Sequence, residues 1–295
     1  MKIVQLTGST GAQIEDVDIE SLSEQDVATI RSAVVNNGVV VIRNQVVSPE
    51  AHIAFGKRFG NIVHTEGAVN HGVANKNNTL EGYPEIFRVT NAGKGPNTTE
   101  QWHSDNAHVP RPTGISILVA QTIPPFGGDT LFANQYVAYD TLSDGYKRLL
   151  RHLRLKHSGA SQVAYRYGNA DKAPFEYHPI VRTHEETGRR ALFIGGRQGV
   201  ARPHFEGMTP EESYPIQQYL YEHATQPDRC YRHMWKQGDV VMWDNRCTLH
   251  FAVHDYGTAV RNMNRITIEG GIPFEEPYED GVRHAEAVSG AGIDV

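Results

Sequence analysis

Gly238-Asp-Val-Val-Met-Trp-Asp-Asn-Arg-Cys-Thr-Leu-His250 is the stretch that decides how this chain folds. Asp239 to Trp243 is too short for a helix, is rich in β-branched and aromatic residues, and is set off by Gly238 and Asn245. It reads as a buried strand running into Arg246-Cys-Thr-Leu-His250. Short runs of similar character recur at Val39–Arg43, Gly114–Ala120, Asp129–Ala133, His178–His184, Arg190–Gly195, Arg232–Lys236 and Asn264–Gly270. Glu186-Thr-Gly188 is a hairpin signal between two of them. Many short strands separated by turns predict a closed or two-sheet antiparallel body such as a jelly roll.

Helices are expected mainly before this β-rich region. Ser23 can cap a helix from about Glu24 to Asn36, with Val27, Ile30, Ala33 and Val34 on one face and Gly38 past its end. Ser48-Pro49 opens a second, which carries Ile53, Phe55 and Phe59 towards Gly60. Thr209-Pro-Glu-Glu212 is a capping box for a third, reaching about His223. Residues 61–84 and 159–177 are polar and contain Gly and Asn, and are expected to be functional loops or lids.

With 295 residues and 39% hydrophobic content, the chain can bury one sizeable core, and it reads as a single domain over 1–295. A net charge of −6 offers no electrostatic footprint for nucleic acid. The absence of a long apolar run predicts no membrane partner, and with no signal-like N-terminus the expected location is the cytoplasm. Two cysteines are too few for a disulfide framework or a thiolate metal site, which leaves histidine and carboxylate chemistry.

His103-Ser-Asp105 puts an imidazole and a carboxylate on one face of an extended chain, where both could bind one cation. The same spacing recurs at His64/Glu66, His184/Glu186 and His284/Glu286, so alone it is a weak signal. Its downstream company distinguishes it. A third ligand from a distant strand, with His250 in reach, would complete two histidines and one carboxylate, leaving the opposite coordination positions open. Arg261 and Arg265 follow in a β-rich context. An α-keto acid chelating a metal through its keto acid end presents a second carboxylate, and burying that charge needs a cationic fork.

The chain resembles the taurine dioxygenase family, which includes 2,4-dichlorophenoxyacetate dioxygenases and oxidative alkylsulfatases. The likeness runs from Gly11-Ala-Gln-Ile14 to Gly271-Ile-Pro-Phe274. It is carried by Trp102-His-Ser-Asp105, Phe126-Gly-Gly-Asp-Thr130, His178-Pro-Ile-Val-Arg-Thr-His184, and Trp243-Asp-Asn-Arg246 leading to His250 and the two arginines. The resemblance implies a double-stranded β-helix that uses Fe(II), 2-oxoglutarate as co-substrate, dioxygen and a small organic substrate. It implies His103, Asp105 and His250 as iron ligands, and Thr130 and Arg261 as anchors of the distal carboxylate of 2-oxoglutarate. It implies Arg265, and at a comparable distance His64, as substrate contacts, with a homodimer or homotetramer as the assembly.

One departure bears on the substrate. Sulfonate-binding members commonly place a histidine before the second arginine, where this chain has Asn264. Asp105 argues against a halogenase, since related halogenases lack that carboxylate. The expected reaction is oxidative decarboxylation of 2-oxoglutarate coupled to hydroxylation of a small anionic substrate, with carbon–heteroatom cleavage where the carbon carries a heteroatom. A zinc-dependent hydrolase on the same triad is the alternative, but it gives Thr130 and Arg261 no task. A third reading is a binding module in which the cluster is structural.

Overall fold

The structure is a computed structural model and describes residues 1–63, 78–91, 100–159, 173–196 and 203–277. The chain opens with β1 (Lys2–Gln5), β2 (Ala12–Glu15), α1 (Glu24–Asn37), β3 (Val39–Ile42) and α2 (Pro49–Lys57). Next come β4 (Thr79–Leu80), β5 (Tyr83–Asn91), β6 (Thr113–Thr122), β7 (Thr130–Asn134), α3 (Gln135–Asp140) and α4 (Asp144–Leu150). After β8 (Arg154–Ser158), β9 (Phe175–Pro179), β10 (Val181–Thr183) and β11 (Arg190–Leu192) comes α5 (Pro210–Ala224). The described part ends with β12 (Cys230–His233), β13 (Val240–Asp244), β14 (Thr248–Ala252) and β15 (Arg261–Glu269).

The expected capping box forms at Thr209, and the Ser23 cap proves to be a box as well. Ser23 caps α1 with Asp26 answering, and Thr209 caps α5 with Glu212 answering. The strand expected over His178–His184 is broken at Ile180, β9 pairing with β8 and β10 with β11. β9 also claims residues 175–177 from the expected loop at 159–177, because pairing with β8 satisfies their backbone. Likewise β4 and β5 begin inside the expected loop at 61–84.

The larger sheet has the order β1-β2-β3-β13-β6-β15-β5-β4, and the smaller has β12-β7-β14. β13, the strand on which the sequence reading turned, lies between β3 and β6 in the larger sheet, antiparallel to both. Its residues alternate between two cores. Val240 and Met242 join Ile115, Ile117, Val119 and Ile266 beneath α1 and α2, whose Ile30, Val34 and Phe55 are almost wholly buried. Val241 and Trp243 face the other way and meet Leu118, Ala120 and Met263, together with Phe132 and Tyr231 of the smaller sheet. Each large aliphatic side chain buried this way contributes about 1.5–3 kcal/mol. The second core therefore lies between two facing sheets, the jelly-roll arrangement, while α3 and α5 pack behind the smaller one. The site occupies this space between the sheets.

Candidate active site

His103 and His250 are brought together by the backbone. The His103 N–H donates to the His250 carbonyl at 3.0 Å and the His250 N–H returns to His103 at 2.8 Å, an isolated antiparallel bridge. Their ring centres are 4.1 Å apart. Asp105 Oδ1 lies 3.8 Å from His250 Nε2, and one ligand atom from each of the three residues falls within 4.8 Å of the others. His103 Nδ1 is 2.8 Å from the Gln101 carbonyl, which only accepts, so this nitrogen carries the hydrogen and Nε2 keeps its lone pair. His250 Nδ1 is buried without a hydrogen-bond partner.

Asp105 is held by a small network. Ser116 Oγ donates to Oδ2 at 2.7 Å, the Asp105 N–H donates to Asn245 Oδ1 at 3.0 Å, and Asn245 Nδ2 closes the loop onto Ser116 Oγ at 3.0 Å. Trp243 Nε1 also donates to Asn245 Oδ1, at 3.1 Å. Arg265 Nη1 reaches Asp105 Oδ1 at 3.2 Å and lies over the Phe87 ring. Burial alone would raise the Asp105 pKa. Arg265, the two histidines and the Ser116 hydroxyl outweigh it and hold the carboxyl well below the usual range. Burial, helped by His103, pushes His250 down to about 3. A neutral imidazole beside an ionised carboxylate is the protonation state that divalent metal binding requires.

A second close group, His184, Asp244 and Cys247, is unsuited to a cation. Asp244 already accepts from Arg246 Nη2 at 2.6 Å, Arg246 Nε at 2.8 Å and His184 Nε2 at 3.0 Å. His184 Nδ1 in turn accepts from the backbone of Glu186 and Thr187, at 3.2 and 3.3 Å. With those lone pairs occupied, the group braces the turn between β13 and β14. Burial and Asp244 raise the pKa of the Cys247 thiol, consistent with packing rather than ligation.

The second feature of the site is a buried cation. Arg261, at the start of β15, is 5% exposed, and its Nε donates to the Gly128 carbonyl at 3.0 Å. Burial lowers its pKa against the opposing pull of Tyr256 and Asp129. Asp129 is engaged elsewhere, by Arg232 at 2.6 Å, and among the described residues no carboxylate pairs with Arg261. Thr130 lies in the same region, its Oγ1 accepting from Trp235 Nε1 at 3.0 Å, and the Arg261 guanidinium sits 5.6 Å from the Trp235 ring centre. A buried guanidinium without a counter-ion suits a ligand that brings a carboxylate.

The family model described as Taurine catabolism dioxygenase TauD, TfdA family matches residues 2–267. This chain belongs to the TauD/TfdA family. It is 32% identical to the alpha-ketoglutarate-dependent 2,4-dichlorophenoxyacetate dioxygenase of Burkholderia sp. (strain RASC), over 88% of this chain and 91% of that one. It is 30% identical to the alpha-ketoglutarate-dependent sulfate ester dioxygenase of Pseudomonas putida, over 91% and 89%. The crystal structure of a taurine dioxygenase from Burkholderia xenovorans superposes with a TM-score of 0.78 at 31% identity, covering 92% of each chain. That of AAD-2 in complex with Mn(II) and N-oxalylglycine gives 0.76 at 29%, covering 92% of this chain and 98% of that one. As a TauD/TfdA protein, the chain is an Fe(II)- and 2-oxoglutarate-dependent dioxygenase, acting on a small-molecule substrate with dioxygen. The zinc hydrolase alternative finds no support among these relatives. No helix among the described residues is long and apolar enough to cross a membrane.

Of the residues singled out in this TauD/TfdA chain, the structure gathers His103, Asp105, His250 and Arg265 at one place, and Thr130 and Arg261 together at another. Arg265 does not stand free, because it is paired with Asp105. His64 lies outside the described residues. Sequence alone assigned no role to Ser116, Asn245, Trp235 or Gly128, since nothing local in them signals that each has a partner more than a hundred positions away. Asn245 and Gly128 stand inside the blocks Trp243-Asp-Asn-Arg246 and Phe126-Gly-Gly-Asp-Thr130, but the blocks carry no sign of what either residue touches.

Proposed function

We propose that His103, Asp105 and His250 hold the ferrous ion and that Arg261 and Thr130 hold the distal carboxylate of 2-oxoglutarate. The observation that carries this is the pairing of a donor set prepared for a cation with a buried guanidinium prepared for an anion, both facing the space between the two sheets. Bound iron would activate dioxygen, the oxidant; 2-oxoglutarate would supply two electrons, leaving as succinate and carbon dioxide with one oxygen atom, and the substrate would supply the other two, taking the second oxygen atom as a hydroxyl.

The protein's own residues bind and orient. His103 offers Nε2 because Gln101 fixes its tautomer; Ser116 holds the Asp105 carboxylate, and Asn245 holds the Asp105 backbone N–H and the Ser116 hydroxyl. Trp243 packs against the His250 ring, 4.9 Å between centres, and with Phe132 keeps that side of the site dry.

For the substrate we infer a small organic anion, with Arg265 supplying the positive field and His64 a further contact. The named relatives act on a phenoxyacetate and on sulfate esters, both anionic. We further read residues 1–295 as one domain with insertions near 61–84 and 159–177. The assembly would be a homodimer or homotetramer, and the location cytoplasmic, with no nucleic-acid or membrane partner. Two unpaired cysteines fit a reducing compartment, and light scattering during size exclusion would read the assembly directly.

The decisive test is anaerobic addition of iron(II) and then 2-oxoglutarate, watching for the weak visible charge-transfer band of the chelate. The wild type should develop it, Arg261→Ala should need much more 2-oxoglutarate, and Asp105→Ala should fail to retain iron. A folded, iron-loaded wild type that shows no band would overturn the assignment of these residues. Oxygen uptake with a panel of sulfonates, sulfate esters and aryloxyalkanoates would then identify the substrate class.

A further inference from the structure

The co-substrate anchor contains a residue to which nothing so far gives a task. Trp235 lies two positions past the end of β12, with its side chain buried among Leu118, Val241 and Met263. Its indole touches both groups that face the proposed carboxylate. Nε1 donates to Thr130 Oγ1 at 3.0 Å, and the ring lies beside the Arg261 guanidinium, 5.6 Å from centre to Cζ. An indole N–H only donates. Thr130 Oγ1 must therefore accept from it, and the hydroxyl hydrogen is turned to some other acceptor. With the indole fixing one lone pair, the threonine is set as a donor rather than left to rotate.

The tryptophan is itself held in place. His233 stands edge-on to it at 4.5 Å and 90°, and is clamped by Tyr231 Oη at 2.9 Å and Asp239 Oδ2 at 3.1 Å. Arg261 is fixed on its other side by the Gly128 carbonyl. We infer that Trp235 is a positioning residue for the 2-oxoglutarate anchor: its N–H turns the Thr130 hydroxyl towards the distal carboxylate, beside the Arg261 guanidinium. This rests on the co-substrate reading above and deepens it. The Trp235 hydrogen bond and ring contacts are to Thr130, Arg261 and His233 rather than to His103, Asp105 or His250, so its effect is expected at the far end of the co-substrate.

The experiment is calorimetric and needs no turnover. Manganese(II)-loaded wild type, Trp235→Phe and Thr130→Val are titrated anaerobically with 2-oxoglutarate, and separately with 2-oxobutyrate, which has the keto acid end but no distal carboxylate. Trp235→Phe keeps an aromatic ring but loses the donor together with part of the indole's bulk. It should bind 2-oxoglutarate roughly 10-fold more weakly, and 2-oxobutyrate and manganese as the wild type does. Combining it with Thr130→Val should add little to Thr130→Val alone, because both act through one hydroxyl. Equal weakening for both keto acids would show a merely structural role and overturn the inference, as would unchanged 2-oxoglutarate affinity. If the wild type itself binds no 2-oxoglutarate, the co-substrate assignment fails instead. Should Trp235→Phe not fold, benzothienylalanine at this position replaces the N–H by sulfur in the same shape, and the same outcomes apply.

Discussion

At the scale of single residues, charge placement decides most of what this site can be. Asp105 and Asp244 are both buried carboxylates, and both are held well below the ordinary range although burial pushes the other way. They differ in what occupies their oxygens. Asp105 has one hydroxyl donor and one arginine contact and still faces two histidines, whereas Asp244 is enclosed by Arg246 and His184. Asp244 should therefore matter for stability rather than chemistry. Its folded pKa is depressed, so its contribution is present above the unfolded aspartate value of about 4 and is lost as pH falls towards the folded value. Asp244→Asn leaves Arg246 without its main counter-charge and should cost about 3–5 kcal/mol at neutral pH in urea unfolding. The acid limb of the stability profile should lose one proton, about 1.4 kcal/mol per pH unit below pH 4. An unchanged acid limb would mean that Asp244 titrates normally in the folded protein.

At the scale of elements, the Gly127-Gly128 turn before β7 shows how backbone geometry reaches the site. Both glycines have positive φ, +67° and +73°. The Gly128 N–H is held by Asp255 at 2.8 Å and its carbonyl holds Arg261. A Cβ at Gly128 would lie 3.2 Å from Arg261 Cδ, in a conformation that L residues rarely adopt. Gly128→Ala should destabilise by about 1–2 kcal/mol and, by displacing Arg261, weaken 2-oxoglutarate several-fold while leaving metal affinity alone. Co-substrate affinity equal to wild type would show that Arg261 does not depend on this turn. Phe126-Gly-Gly-Asp-Thr130 stood out in sequence only as a block of the family resemblance, whereas β13, β6 and the three capped helices were legible because local composition fixes them. β1, β5, β8 and β14 were not. β1 is largely exposed and gives no apolar period, and β14 carries a buried histidine where alternation would show an apolar residue. Trp235 was placed in an expected strand, yet β12 ends at His233, and the bend beyond it aims the indole at Thr130. Such contacts depend on how two sheets face each other, which no window of sequence contains.

At the scale of the whole molecule, the site is shared between sheets. Thr130 and His250 come from the smaller sheet, Arg261 and Arg265 from the larger, and Asp105 is tied to Ser116 of the larger while its neighbour Ser104 donates to the Thr248 carbonyl of β14 at 3.1 Å. A metal with its keto acid would therefore staple the two sheets together, and linkage sets the size of the effect. At one hundred times its dissociation constant, a ligand that binds only the folded state adds about 2.7 kcal/mol. For a chain of this size that is roughly 4 °C in Tm. Manganese(II) and 2-oxoglutarate added anaerobically should each raise Tm, and Arg261→Ala should keep the manganese increment while losing most of the 2-oxoglutarate one. Hydrogen exchange locates the effect. With both ligands bound, amides in β7 and β14 and those in β15 should slow together, because a bridge between sheets can be released only when both open. Protection confined to the smaller sheet would place the co-substrate away from Arg261, and the two-sheet staple would have to be abandoned.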